Sequence, residues 1–446
     1  MLRALCKFNF GHFEKEEFKK FLKMGAIFAL IIGVYWTLRP LKDSIFIQLV
    51  GSLQLPLAKT VSVCALLPLV MFYTKLLEKT SREKMLILLP TFYSVALLCF
   101  SLIMLNCQGA SGSVWTKTLG YSWYLFVESF GSLVIALFWA FAADTTLPSS
   151  AKRGFPLVVA IGQIGGILLP YGIGGLPHRL HCTTDSLSIL VLSGLTGLII
   201  PLIRYFLHST PSSLLTSFQN SPTEKTESGF LEGLRLLLKN RYLLGIFGVN
   251  FIYEVIVTIF DFNFKQMASM QYSGVVLSHY LSIYASSVNT VSLLCLLLGI
   301  SNITRFLGVS AALVAMPIIF GGAVLGFLNL NSLSFLFALM VGSKAINYAL
   351  NGPALKQLYI PTTPDVKFKA QAWIETFGSR TSKQAGSMFN MTLAPLQTAF
   401  GAVAGRAHYL LLSGILCAPL LALWIGIALF LGKSFKKALA INKPIV

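Results

Sequence analysis

Hydrophobic and polar positions alternate along this chain on the scale of whole elements. Long, continuously apolar runs are separated by short polar breaks. A helix needs ~20 residues to cross ~30 Å of hydrocarbon. Twelve runs reach that length, near 24–40, 55–74, 85–106, 121–147, 155–175, 186–207, 241–261, 274–300, 306–328, 332–351, 373–403 and 408–432. None shows the period-two alternation of an outer-membrane strand, so the pattern predicts helices. The expectation is an all-α polytopic membrane protein with twelve transmembrane helices.

The longest polar stretch after the N-terminal segment is 208–240, centred on TPSSLLTSFQNSPTEKTESGF, and it divides the runs six and six. This predicts a cytoplasmic N-terminal segment (1–23), a first six-helix bundle (24–207), a cytoplasmic linker (208–240), a second bundle (241–432) and a basic cytoplasmic tail (433–446). Two six-helix halves related as parallel repeats are the major-facilitator-like plan. A trace of such a repeat exists: the first run ends WTLRPLKD and the seventh IFDFNFKQ, so Lys42 and Lys265 fall at equivalent positions.

Composition agrees with a membrane protein. Hydrophobic residues make up 55% and charged residues 11%, and the mean hydropathy is +0.74. A water-soluble globule could not cover so much apolar surface. The formal net charge of +19 changes the picture only through its placement. Most of the basic residues fall on the N-terminal segment, alternate breaks, the linker and the tail, which puts both termini in the cytoplasm. That distribution argues against nucleic acid as a partner. The lysine-rich start also carries Glu14, Glu16 and Glu17 and leads into a full span, unlike a cleaved signal or transit peptide. Seven cysteines form no CxxC pair; only Cys107 and Cys182 could meet on the outer side. Gly162–Gly175, GQIGGILLPYGIGG, lacks GxxxxGK and a preceding strand, so it reads as close helix packing. No Ser-His-Asp, HExxH or paired-carboxylate arrangement is present, and the expectation is a non-enzyme with no cofactor and no metal.

Several charges break the pattern. Arg39 and Lys42 stand at the outer end of the first run. Glu128 lies one or two turns inside the fourth, Glu254 lies mid-run in the seventh with Asp261 and Lys265 on the same helical face, and Lys344 is buried in the tenth. An ionisable group in the hydrocarbon costs ~3 kcal/mol on insertion scales, so those that persist usually face a partner or a substrate. Basic groups from both halves with a few carboxylates suit a polyvalent anion. Asp261 and Lys265, four apart, could equally form an ion pair that only holds the helix. Glu128, Glu254 and Asp261 are the candidate proton carriers, and Trp139 or Tyr348 could stack on a base.

Six segments in order extend this reading: LRPLKD (38–43), VESFGS running into LFWAFA (127–142), AKRGFPL (151–157), DFNFK (261–265), KAINYALNGPALKQLYIP (344–361) and KFKAQAWIETFGSRTSK (367–383). Together they resemble the nucleotide transporters of intracellular bacteria and plastids, the ATP/ADP antiporter group. The resemblance implies a carrier in the bacterial inner membrane that moves a nucleotide by exchange or proton-coupled import. It maps functional charges onto Lys42, Glu128, Asp261 and Lys265, with a further cation among Lys367, Lys369 and Lys383. The chain departs from the family where NGPALKQ places Gly352 and Gln357 at positions that usually carry acids. ATP or ADP, another nucleotide, a dinucleotide such as NAD or a different phosphorylated anion therefore all remain as cargo.

Overall fold

The computed structural model describes residues 13–80, 82–106, 113–215, 230–298, 308–329, 332–363, 370–371 and 373–441. Every regular element among these residues is a helix, and the fold class is that of an all-α, major-facilitator-like membrane protein. The principal helices are α1 (Lys15–Leu49), α2 (Leu55–Lys79), α3 (Arg82–Asn106), α4 (Val114–Asp144), α5 (Pro148–Leu169), α6 (Ser186–Ser209), α7 (Arg241–Gln271), α8 (Gly274–Leu297), α9 (Val309–Asn329), α10 (Leu333–Ile346), α11 (Ser379–Asn390) and α12 (Ala402–Ile441).

Among the described residues ten helices are long and apolar enough to cross a membrane, where the hydropathy pattern predicts twelve. The two exceptions are the expected spans 332–351 and 373–403. α10 has 14 residues and passes into a π turn, Asn347–Asn351, and then a short helix, Gly352–Gln357. The eleventh begins with a second π turn, Ile374–Gly378, continues as the polar α11, and after a break resumes as Leu393–Phe400. Gly401 then takes a left-handed backbone (φ +81°), which ends that helix at little steric cost because glycine has no Cβ. A π turn also follows α5, at Pro170–Gly174.

α1, α7 and α12 outrun the apolar stretches that predict them. α1 has 35 residues, ~52 Å at 1.5 Å per residue, against ~30 Å of hydrocarbon. Its Pro40 has no backbone N–H to offer the Trp36 carbonyl, which weakens the ladder one turn before Lys42. α4 starts at a capping serine, Ser113, whose hydroxyl accepts the Thr116 N–H at 3.2 Å.

The chain divides into two compact units: Met1–Ser52, Cys64–Thr223 and Ser269–Thr290 in one, and Leu53–Val63, Glu224–Ala268 and Val291–Val446 in the other. In the first unit α1 packs most extensively on α5. That contact uses small residues: a Cβ added at Gly165 would lie 1.9 Å from the Ala29 carbonyl oxygen, and one at Gly33 would lie 2.8 Å from that of Gly165. The glycine-rich segment is therefore a packing surface. Gly165→Ala should destabilise the fold by at least the ~1–3 kcal/mol typical of overpacking. Thermal unfolding in detergent checks it, with Gly194→Ala as control because nothing lies within 4 Å of that added Cβ; equal midpoints for the two variants would count against the contact.

In the second unit α7 is the central helix, with every residue from Val255 to Ala268 buried. Polar groups tie it to α11 and α12: Asn390 Nδ2 donates to the Thr258 carbonyl at 3.1 Å, Tyr409 donates to Asn390 Oδ1 at 2.6 Å, and Asn263 Nδ2 donates to the Tyr409 hydroxyl at 3.3 Å. Inside a bilayer such groups must be satisfied by protein, and here each bonds another buried residue.

Candidate functional site

Each unit holds a deeply placed charge cluster that includes residues expected from the sequence. In the first, Lys42 is 5% exposed on α1. Its ammonium hydrogen-bonds Glu128 of α4, stands 3.8 Å from its neighbour Asp43, and lies 4.2 Å from the centre of the Tyr124 ring. Glu128 is 35% exposed at its side chain, so the pair has a dry end at the lysine and a more open one at the carboxylate. Arg39, one turn earlier, lies over the Trp36 ring at 5.2 Å and is close enough to act electrostatically on both partners.

In the second unit three ammonium groups converge on one carboxylate. Asp261 Oδ2 accepts from Lys265 at 2.5 Å and from Lys59 at 3.4 Å, and its Oδ1 accepts from Lys344 at 3.3 Å. Asp261, Lys265 and Lys344 are all buried. Thus the i, i+4 pair foreseen in α7 exists, as part of a larger group. The sequence reading passed over Lys59. Its sole signal is a lysine one turn into an apolar helix, LPLAKTVSV, and long basic side chains near helix ends usually snorkel to headgroups.

The remaining candidates fall elsewhere. Glu254, two turns before Asp261, accepts from the Ser379 hydroxyl at 3.1 Å and stands 3.6 Å from the Lys383 ammonium; the Lys383 side chain is 53% exposed. Lys367 and Lys369 lie outside the described residues. Trp139 is packed edge-on against Phe28 and Phe155, with centroids at 5.0 and 5.3 Å, among the aromatic residues of the first unit's core. Tyr348, in the π turn after α10, is 50% exposed. His178, the first residue of HRLHC (178–182), lies against His279, centroids 4.9 Å apart, and no group of three metal-ligating side chains occurs among the described residues. Cys107 lies outside them, while Cys182 is a free thiol.

Physically, the second cluster is suited to anions. An ammonium presents three donors and no acceptor, so three of them around one carboxylate hold more donor capacity than that carboxylate can use. A phosphate oxygen brought to them would form charge-assisted hydrogen bonds, strong ones in a low-dielectric setting.

The sequence model of the TLC ATP/ADP transporter family matches residues 5–110 and 109–337. An ADP,ATP carrier protein 1 from Rickettsia typhi is 22% identical over 450 residues, covering 89% of this chain and 90% of its own. An ADP,ATP carrier protein 3 from Rickettsia felis is 23% identical over 441 residues, covering 84% and 87%. Among solved structures, the nucleoside transporter NupG superposes with a TM-score of 0.60 at 13% identity, over 92% of this chain and 98% of its own. An inward-facing bacterial homologue of the lysosomal transporter Spinster gives 0.58 at 14%, over 96% and 99%.

Proposed function

Because the chain belongs to the TLC ATP/ADP transporter family, we propose that it is a carrier, not an enzyme, that moves a nucleotide across the bacterial inner membrane by alternating access, with both termini in the cytoplasm. The observation that carries this reading is the cluster of Lys59, Lys265 and Lys344 around Asp261. Its ammonium groups bind the cargo's phosphates, displacing their bonds to Asp261, and Lys42 serves the same purpose when it exchanges Glu128 for substrate. Relatives named for ADP and ATP support the cargo class; the positive-inside distribution supports the orientation. Exchange and proton-coupled import both fit a site of this kind.

A second reading keeps the carrier and changes the cargo to NAD or another phosphorylated anion. Gly352 and Gln357 favour it, standing where the resembled family carries acids, because fewer carboxylates relax the demands on the ligand's charge. Competition in proteoliposomes separates the two: uptake of labelled ATP is measured against excess unlabelled ATP, ADP, other nucleoside triphosphates, NAD and simple phosphate esters. Inhibition by ATP and ADP at the lowest concentrations is the expected result. Dominant inhibition by NAD would move the assignment to the second reading, and absence of flux with each of these solutes labelled in turn would end both.

A further inference from the structure

Four carboxylates among the described residues are buried: Glu17, Asp43, Asp185 and Asp261. Three have a cation within ion-pair distance, from Arg153, Lys42 and the three-lysine cluster respectively. Asp185 has none. It is 3% exposed at the start of α6, just outside the membrane-spanning segments. Its Oδ2 accepts from the Ser278 hydroxyl of α8 at 2.7 Å and from Gln48 of α1 at 3.3 Å, whereas Oδ1 is buried with no hydrogen-bond partner. A carboxylate so placed is expensive as an anion and cheap as a neutral acid.

The hydroxyls beyond it form a line. Ser278 Oγ lies 2.7 Å from Ser44 Oγ, and Ser44 Oγ lies 3.3 Å from the Leu41 carbonyl, the residue before Lys42. One serine hydroxyl holds one proton, so this line has two polarities. With Asp185 ionised, Ser278 donates to Asp185 and Ser44 donates to Ser278. With Asp185 protonated on Oδ2, the acid donates to Ser278, Ser278 to Ser44, and Ser44 to the Leu41 carbonyl. Both states keep the line hydrogen-bonded; only the second engages the Leu41 oxygen, which also takes the Trp123 indole N–H at 3.4 Å.

We propose that Asp185 is a proton-binding site, and that the Ser278–Ser44 relay transmits its protonation state to α1 beside Lys42. The reaction is a simple one: one proton from water adds to the carboxylate and no other bond is made or broken. Burial lifts the Asp185 carboxyl to about 6, the hydrogen bonds from Ser278 and Gln48 holding it from going higher. The other titratable groups nearby are His178, Arg179 and His181 on the preceding segment, His279 next to Ser278 on α8, and Lys42 and Asp43 on α1; the α3 contact is Ser101, whose hydroxyl donates to the Ser186 carbonyl. None of them pairs with Asp185. Glu128, Glu254 and Asp261, the carboxylates expected from the sequence to carry protons, each stand beside a lysine, which sets Asp185 apart from them.

The transport consequence rests on the carrier reading above; the proton site does not. In full-length protein reconstituted in liposomes, infrared difference spectra between about pH 7.5 and 5 should show a protonated-carboxyl band with a midpoint near 6. Asp185→Asn should remove that band. Ser278→Ala, which takes away a donor to the anion, should raise the midpoint by about one unit. A band that survives Asp185→Asn, or that never appears down to the lower limit, overturns the proposal. If Asp185→Asn does not fold, an unmoved midpoint in Ser278→Ala does the same, as does a carboxylate band that responds to sodium but not to acid. Labelled-ATP uptake with internal pH fixed should vary with external pH through the same midpoint in the native protein and lose that dependence in Asp185→Asn. Absence of uptake in every version would count against the carrier reading and leave the infrared result standing.

Discussion

Lys42→Ala should reduce nucleotide uptake by at least two orders of magnitude while the chain still inserts in the membrane. Removing the lysine takes from Glu128 its hydrogen-bonded partner and from Asp43 the ammonium at 3.8 Å. Breaking a buried ion pair from one side typically costs ~3–5 kcal/mol, mostly because the remaining charge stays buried. Loss of uptake alone would therefore not distinguish a ligand for phosphate from a prop between α1 and α4. The double variant Lys42→Ala/Glu128→Gln does. The second change should restore the part of the thermal stability lost at Glu128, since matched neutral replacements of buried pairs are often tolerated, while the part lost at Asp43 stays lost, and uptake should stay absent. Recovery of uptake in the double variant would reduce Lys42 to a structural role.

Asp261→Asn should be the most destabilising single change in the second unit. Lys59, Lys265 and Lys344 all direct ammonium groups at that carboxylate, and at these spacings like charges repel strongly in a low-dielectric setting. The neutral amide accepts at one atom only and donates at the other, the wrong polarity toward an ammonium. A bound anion can replace the lost carboxylate. Addition of ATP should raise the unfolding midpoint of Asp261→Asn more than that of the native protein, as expected when a ligand binds the folded state alone. Equal shifts would mean that substrate does not meet this cluster.

What the sequence reveals of such a site depends on contrast. Lys42, Glu128, Glu254, Asp261, Lys265 and Lys344 stand out because each interrupts an apolar run. Lys59 is less visible because its position near a helix end has a cheaper explanation in headgroup contact. Asp185 is less visible still: in a polar break a lone aspartate is ordinary, and only the structure shows it buried, without a cation and bonded to Ser278, some ninety residues later in the chain. Apart from the Asp261–Lys265 and Lys42–Asp43 pairs, the partners of these charges are matters of packing between helices distant in sequence, as Lys59 and Asp261 show. The helical class was plain from the apolar runs, whereas the interruptions of the tenth and eleventh spans were not. A hydropathy window weighs side chains and is blind to which carbonyl a backbone N–H chooses.

Those wider turns have a bearing on how this chain compares with its relatives. A π turn accommodates one residue more than the α turn it replaces, and in an ordinary helix one residue amounts to ~100° of rotation about the axis. The turns at Pro170–Gly174, Asn347–Asn351 and Ile374–Gly378 therefore absorb an insertion that would otherwise turn every later side chain to a different face. A relative with one residue fewer at such a place can keep both flanking surfaces in register. Motif spacings counted across these turns are thus expected to differ by one between family members, and alignment should be anchored separately on either side.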